Sequence, residues 1–456
     1  MANPIELKFE NSLTIPDIID VAYATDETET PDNPQKVGVN QQTKMTGIIA
    51  PLIRLNNITI NFNQIFDFSL NNEGIIPTLV FSFDDTFGFT KSIDQPGNDN
   101  ICIVQILPPF DNAYKKIKLQ FNIKNISILG NNRVSVQCIY GNPDLLNDSL
   151  ESLGLLTTYE LCEDIAKRTK LGFQSNLAGT NDKRYMFCGG NSLLSLFERE
   201  VECGGEQNII LDGFIDLYNN INLFNIYELY NSNVEVHKIW IKGSNQIESD
   251  SDSEIKPEQV DCAISNGANT RQSPLFVENY RTINNIGSNI TLGSDKVYNE
   301  YIYNNLESIE TLIQDGDVKN DIFVKTKYLG ENIGEYNYLL QRECNKAYHQ
   351  KIRNQIIEVK LKQPMLGIIR GDKVNFIWYE MNELLNKVKD EADIQTNLPI
   401  DNSDEAEYDT PRLNLQVSGQ YLVIGSTISY KRRAGNLLWE HKLLLARPQD
   451  KIQKYL

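Results

Sequence analysis

Three histidines, seven cysteines and 61 Asp or Glu residues are the side chains from which this chain could build chemistry. The cysteines at 102, 138, 162, 188, 203, 262 and 344 lie far apart, and none forms a CxxC pair. Cys188 and Cys203 each precede Gly-Gly, a separation that matches no zinc-knuckle spacing, and His237, His349 and His441 are too scattered for HExxH. No metal and no cofactor is therefore expected. GxGxxG, GxxxxGK[ST] and GxSxG are all absent, so no phosphate cradle or nucleophile elbow is legible. Acids concentrate in two loop-like stretches, where solvent keeps pKa values ordinary and positioning is poor. The pair Asp84-Asp85 before Thr86 reads as a turn. No catalytic residue is expected, and the chain reads as a non-enzyme.

One segment does combine aromatic and basic residues. TISYKRR carries Tyr430, Arg432 and Arg433, with Trp439 shortly after. From Arg412 onward, eight Lys or Arg face two acids, a net charge of +6 in a chain of formal charge -18. Such a strand could stack on and neutralise single-stranded nucleic acid. Charge complementarity within an acidic protein favours docking on the acidic face of another copy. Tyr430, Arg432, Arg433 and Trp439 are thus the candidate interface residues, with core filling as the competing role for Trp439 and Tyr430.

The elements that must position these residues follow from periodicity. Residues 1–46, broken by Pro4, Pro16, Pro31 and Pro34, read as an extended arm. Residues 47–150 read as a first β-barrel-like domain, with the runs LIRLNNITINF, TLVFSF, ICIVQIL, KLQFNIKNISIL and RVSVQCIY. Asn131-Asn132 supplies a tight hairpin between the last two, because Asn tolerates positive φ. Over 151–243 the period changes to that of an α/β domain. Thr157 with Glu160 forms a capping box, Gly172 offers a C-cap, and a second helix is expected over Ser192–Glu202. FIDLYNNINLFNIYELY fits strand and turn better than helix.

Residues 244–274 read as an acidic loop that lacks the EF-hand pattern. A helical or α/β segment follows over 275–355, with Ile302, Leu306, Ile309 and Ile313 in a stripe. Residues 356–456 read as a second β-barrel-like domain. Within it, 389–411 forms an acidic insertion of eight acids against Lys389, and GQYLVIGSTISYKRR with LLWEHKLLLARP forms an antiparallel meander. The fold class is α+β: two small β-barrel-like domains with α/β segments between them. At 456 residues and 52.0 kDa the chain exceeds one ordinary core. Its acidity opposes general binding to nucleic acid or anionic membrane, and no run is apolar enough to span a bilayer or serve as a signal peptide.

The order of these parts resembles the tail hub proteins of contractile-tailed bacteriophages. It is similar to the baseplate hub or late control protein and to the hub part of secretion-system spike proteins. Three phrases carry the resemblance: Thr157, Glu160, Ile165 and Ala166 with Leu171-Gly172-Phe173; Arg370, Gly371, Asp372 and Val374; and Tyr421, Val423, Ile424 and Gly425 with Leu443, Leu445 and Arg447. The arm and both acidic insertions exceed the compact hub. The resemblance implies a homotrimeric ring in the virion tail baseplate, made in the host cytoplasm. Such a ring adapts the six-fold tail tube to the three-fold central spike, touches neighbouring baseplate proteins and encloses a channel for DNA. With no needle-like region after Leu456, the spike is expected to be a separate chain. Two alternatives are the hub of a phage-derived bacterial injection or secretion particle and a cell-wall-degrading tail-associated enzyme.

Overall fold

The computed structural model describes residues 5–18, 50–56, 58–86, 100–107, 116–205, 209–231, 237–241, 277–284, 355–361, 364–380, 412–413, 419–433 and 436–447. Gly88, Thr90 and positions 341, 342, 345, 349, 352 and 353 are also described. The acidic stretch 389–411 and the apolar stripe at 302–313 lie outside these residues, as does the acidic loop at 244–274. From the arm, β1 (Glu6–Phe9) adds antiparallel to a strand of the α/β unit.

The first strand unit comprises β2 (Leu52–Leu55), β3 (Ile58–Ile60), β4 (Ile65–Asn72), β5 (Thr78–Asp84), β6 (Ile101–Ile106), β7 (Ile117–Gly130) and β8 (Arg133–Tyr140). All five strand runs expected between 47 and 143 are present, and β4 is an additional strand. LIRLNNITINF divides into β2 and β3 at Asn56, whose φ is 49°. Alternation sends Ile53, Val104, Leu119, Phe121, Val136, Phe81 and Phe83 into the core. Between β7 and β8, Asn131 and Asn132 take φ of 50° and 59°, the double positive φ of a tight hairpin.

The α/β unit contains α1 (Pro143–Leu146), β9 (Asp148–Ser149), β10 (Ser152–Leu156), α2 (Thr158–Thr169), β11 (Gly172–Ser175), β12 (Arg184–Phe187), β13 (Asn191–Ser192), α3 (Leu193–Cys203), β14 (Leu211–Ile215), β15 (Asn220–Asn225) and α4 (Ile226–Asn231). Its sheet order is β1-β11-β15-β14, with β11 and β15 parallel. At the start of α2, the Thr157 side chain accepts from the Glu160 amide and the Glu160 carboxylate accepts from the Thr157 amide, the reciprocal cap read from the sequence.

The C-cap differs from expectation: Lys170, at φ 60°, takes the left-handed position instead of Gly172. Gly172 is already in β11, where a Cβ would lie 2.1 Å from the Asn220 side chain. Close approach between strands, rather than helix termination, calls for glycine there. Ser192 caps α3, and Leu193, Phe197 and Val201 are buried along it. FIDLYNNINLFNIYELY resolves into the β14–β15 hairpin, turned at Asn219 with φ 61°, followed by α4.

The last strands are β16 (His237–Ile241), β17 (Val277–Asn284), β18 (Gln355–Leu361), β19 (Lys373–Glu380), β20 (Arg412–Leu413), β21 (Gly419–Arg433) and β22 (Asn436–Arg447). The described strands are hydrogen-bonded into the sheet of the first unit. One 14-stranded sheet runs β17-β18-β22-β21-β4-β5-β8-β7-β6-β2-β3, with β16, β19 and β20 on a branch. The branch is made by β21, which pairs with β22 along one edge from Leu422 to Arg433. On its other edge, Gly419–Leu422 pair with β19, and Ser426–Lys431 pair with β4. The register shifts between Val423 and Gly425, where the two pairings divide. A Cβ on Gly425 would meet Glu73 Cγ at 2.8 Å. Glycine thus lets the β4–β5 turn cross the branch point.

Candidate functional site

The β21–β22 hairpin carries the expected interface residues, and the structure distributes them unequally. Tyr430 faces Trp439 across the hairpin, with ring centroids 5.1 Å apart. Trp439 sets its edge on Phe68 of β4 at 6.5 Å. Tyr430 and Trp439 are buried and belong to the main core cluster, so they pack inside the chain. The physical reason is β4: its Phe68 pairs directly opposite Tyr430 and covers that face. Arg432 donates to the Asn63 carbonyl, while Lys431 is exposed beside it. The Arg433 side chain lies outside the described residues.

Arg370, quoted above only as part of a phrase, proves to be the centre of a junction. Its turn is closed by the Asp372 side chain, which accepts from the Ile369 amide at 2.9 Å. Gly371 has φ 94° and donates to the Val423 carbonyl at 2.8 Å. A Cβ at Gly371 would come within 2.5 Å of the Phe224 ring, so the turn is pressed against β15. Arg370 is thereby aimed inward. One guanidinium nitrogen donates to the carbonyls of Glu73 (3.3 Å) and Gly74 (2.6 Å). The other reaches both Asp212 oxygens at 3.0 and 3.2 Å, and the group lies 4.3 Å over Phe214. One side chain thus ties the first strand unit, the α/β sheet and the last strand unit.

Electrostatics hold the junction charged. Burial disfavours the Asp212 carboxylate, but Arg370, His349 and Arg353 outweigh burial and keep its pKa below the usual range. His349 contacts the Leu211 carbonyl at 3.0 Å through Nε2, and burial lowers its pKa. Glu73 adds two bonds on its far side, from Thr427 (3.0 Å) and Lys442 (2.9 Å). Asp212 and Glu73 gave no sequence signal, because a polar residue in a strand or turn looks the same whether or not a distant arginine meets it.

Asp182 is a fully buried acid. It accepts from the amides of Thr158 (3.0 Å) and Gly205 (2.9 Å), from Thr180 Oγ1 (2.6 Å), from Arg184 (2.7 Å) and from Thr158 Oγ1. Burial opposes its ionised form, and these donors overcome burial to lower its pKa. With its oxygens engaged, it anchors the start of α2 and the end of α3 and is not poised as a base.

His441 is buried on β22, with Nδ1 accepting from the Met365 amide at 3.0 Å. The backbone of His237 lies in β16, paired to Val374. Among the described residues no cluster of three His, Cys, Asp or Glu could hold a metal. No helix among them is long and apolar enough to cross a membrane. A cleft of about 460 Å³ lies along the arm, lined by Leu7, Glu10, Asn11, Lys116, Lys118 and Tyr218 among others. At its seam Asp17 pairs with Lys116 (2.7 Å) and Lys118 (3.0 Å), which pull its pKa down to about 2.

No protein-family model and no curated protein matches the chain. Solved structures do. A prophage MuSo2 43 kDa tail protein from Shewanella oneidensis is 8% identical, with a TM-score of 0.43, over 88% of this chain and 98% of its own. The tail protein from Neisseria meningitidis MC58 is 8% identical, with a TM-score of 0.42, over 88% of this chain and 96% of its own. An Escherichia coli component of the type VI secretion system is 9% identical, with a TM-score of 0.38, over 87% of this chain and 76% of its own. The chain is thus similar in structure to phage tail proteins and to a secretion-system component that itself resembles phage T4 tail proteins.

Proposed function

We propose that the chain is a structural subunit of a phage tail baseplate, the hub. Three copies form a ring that joins the six-fold tail tube to the three-fold central spike and encloses the passage for DNA. The observation that carries this reading is the branch at β21. One strand holds two β units side by side, β4 on one half and β19 on the other. Three copies of such a pair present six similar edges, which is what a six-fold tube requires of a three-fold adaptor. The phrases that resemble hub proteins occupy the joints of this frame: the α2 cap, the Arg370 turn and the β21–β22 hairpin.

The role is mechanical, not catalytic. The fully buried Asp182 is occupied by five donors, and the Arg370–Asp212 pair joins units. A formal charge of -18 suits a wall past which DNA slides without binding. Native mass measurement of the purified chain is expected to give three times 52.0 kDa. A monomer at high concentration that stays monomeric with tube and spike proteins present would overturn the hub reading. Reproducible cleavage of peptidoglycan, lost on changing one buried acid, would overturn the mechanical one.

A further inference from the structure

Large apolar side chains are exposed at two separated places. On the ribbon β10–β12, Leu155 (58% exposed) stands opposite Tyr185 (66%), and Phe187 (51%) follows on the same face; Leu150 (87%) lies just before the ribbon. At the end of β7, Ile128 (78%) and Leu129 (57%) precede the hairpin turn. Neither place is a frayed end. The ribbon's inner face is anchored by fully buried Met186, and Ser152 is bonded to the Tyr185 hydroxyl at 2.7 Å. Ile128 is paired to Val134, and the register shifts between Ile128 and Gly130.

Among the described residues, both features lack a further strand neighbour. β10 and β12 form a two-stranded sheet with no third strand among the described residues, although the Phe187 carbonyl accepts from Arg199 at 3.3 Å. β6 covers β7 only from Ile117 to Asn122, so from Lys124 to Gly130 that edge is unpaired among the described residues. Unpaired main-chain groups beside apolar side chains are satisfied by another polypeptide strand, not by lipid. The -18 charge disfavours a nucleic acid. One chain cannot bring the two together. The inner half of β7 abuts the α/β unit, where Asn219 donates to the Lys118 carbonyl. Ile128 stands ten residues further along the strand, roughly 30 Å away at strand rise.

The geometry points to one heterologous contact: the Leu155–Tyr185–Phe187 face of one copy packs on the Ile128–Leu129 edge of the next copy of this chain. The inference rests on the ring reading. A three-fold ring has no two-fold axis within each contact, so every copy must present two different surfaces, and this chain carries two. Copies joined in this way leave neither feature exposed once the ring closes.

The test uses the full chain in two double variants, Leu155→Glu with Tyr185→Glu and Ile128→Glu with Leu129→Glu. All four positions are exposed, so melting and circular dichroism are expected to match the parent. Each variant alone should sediment as a monomer where the parent is a trimer, with association weakened about thirtyfold or more. Mixed together, the two variants should form a one-to-one heterodimer, because the intact ribbon of one meets the intact β7 edge of the other. Variants that still trimerise like the parent overturn the contact and leave the ring reading standing. A mixture that stays monomeric also overturns it, since the two surfaces then do not meet each other. A parent chain that never trimerises overturns both.

Discussion

His441 shows how a histidine in this chain serves the fold. Its ring is buried, the Met365 amide donates to Nδ1, and burial pulls its pKa from 6.5 to about 3. The folded pKa lies below the unfolded one, so the neutral ring contributes stability above pH 6.5 that is lost as pH falls toward 3. His441→Asn keeps an acceptor near Nδ1 but cannot titrate. The variant should show a flatter fall in melting temperature between pH 6.5 and 4 than the parent; parallel curves would show that His441 is not the titrating group. Arg370 gives the second residue-scale expectation. Arg370→Met leaves the Asp212 carboxylate partly buried without its main partner and should cost about 3 kcal/mol in urea unfolding. A change under about 0.5 kcal/mol would mean that solvent already screens the pair. The histidine spacing in sequence excluded a local metal motif but could not reveal burial. For Arg370 the sequence showed a turn, while its partners Glu73, Gly74 and Asp212 lie about 160 to 300 residues away.

Elements were legible where their signals are local. The Thr157–Glu160 cap, the Ser192 start of α3 and the Asn131-Asn132 turn each depend on a few adjacent residues, and each is where its residue types place it. At the turn, Asn132 has φ 59°. Asn132→Gly should raise stability or leave it within a few tenths of a kcal/mol, whereas Asn132→Val should lower it by about 1–2 kcal/mol. Equal effects of the two changes would show that the hairpin does not need positive φ. The Gly172 expectation failed because a helix stop and a close strand contact ask for the same residue. The contact comes from Asn220, 48 positions later, and no local pattern announces it. The docking role expected of Tyr430 and Trp439 met a similar obstacle. An aromatic pair beside basic residues looks alike whether a partner covers it or β4 does, and the β4 pairing spans more than 350 positions.

At the scale of the whole molecule, the shared strand has a thermodynamic consequence. Two β units joined only by a linker would open independently, and each would show its own transition. Here β21 and β22 run through both, and the β4–β5 turn is held from three directions by Arg370, Thr427 and Lys442. Opening either unit exposes one edge of β21 and breaks bonds that the other unit uses. Urea unfolding followed by tryptophan fluorescence and by far-ultraviolet circular dichroism should therefore give coincident curves for the main transition. Gly425→Ala probes the joint itself. Its new methyl would meet Glu73 at 2.8 Å from Cγ and 3.3 Å from Cα, the second a backbone atom that cannot swing aside. The variant should lose about 1–3 kcal/mol. If the crossing at Gly425 couples the units, the two probes should also separate, because the β4 and β19 halves of β21 no longer share an undistorted backbone. A destabilised variant whose curves still coincide would show that coupling runs through the Arg370 junction instead, and Arg370→Met should then be the change that splits them. Two transitions in the parent chain would sink the idea of a single mechanical frame.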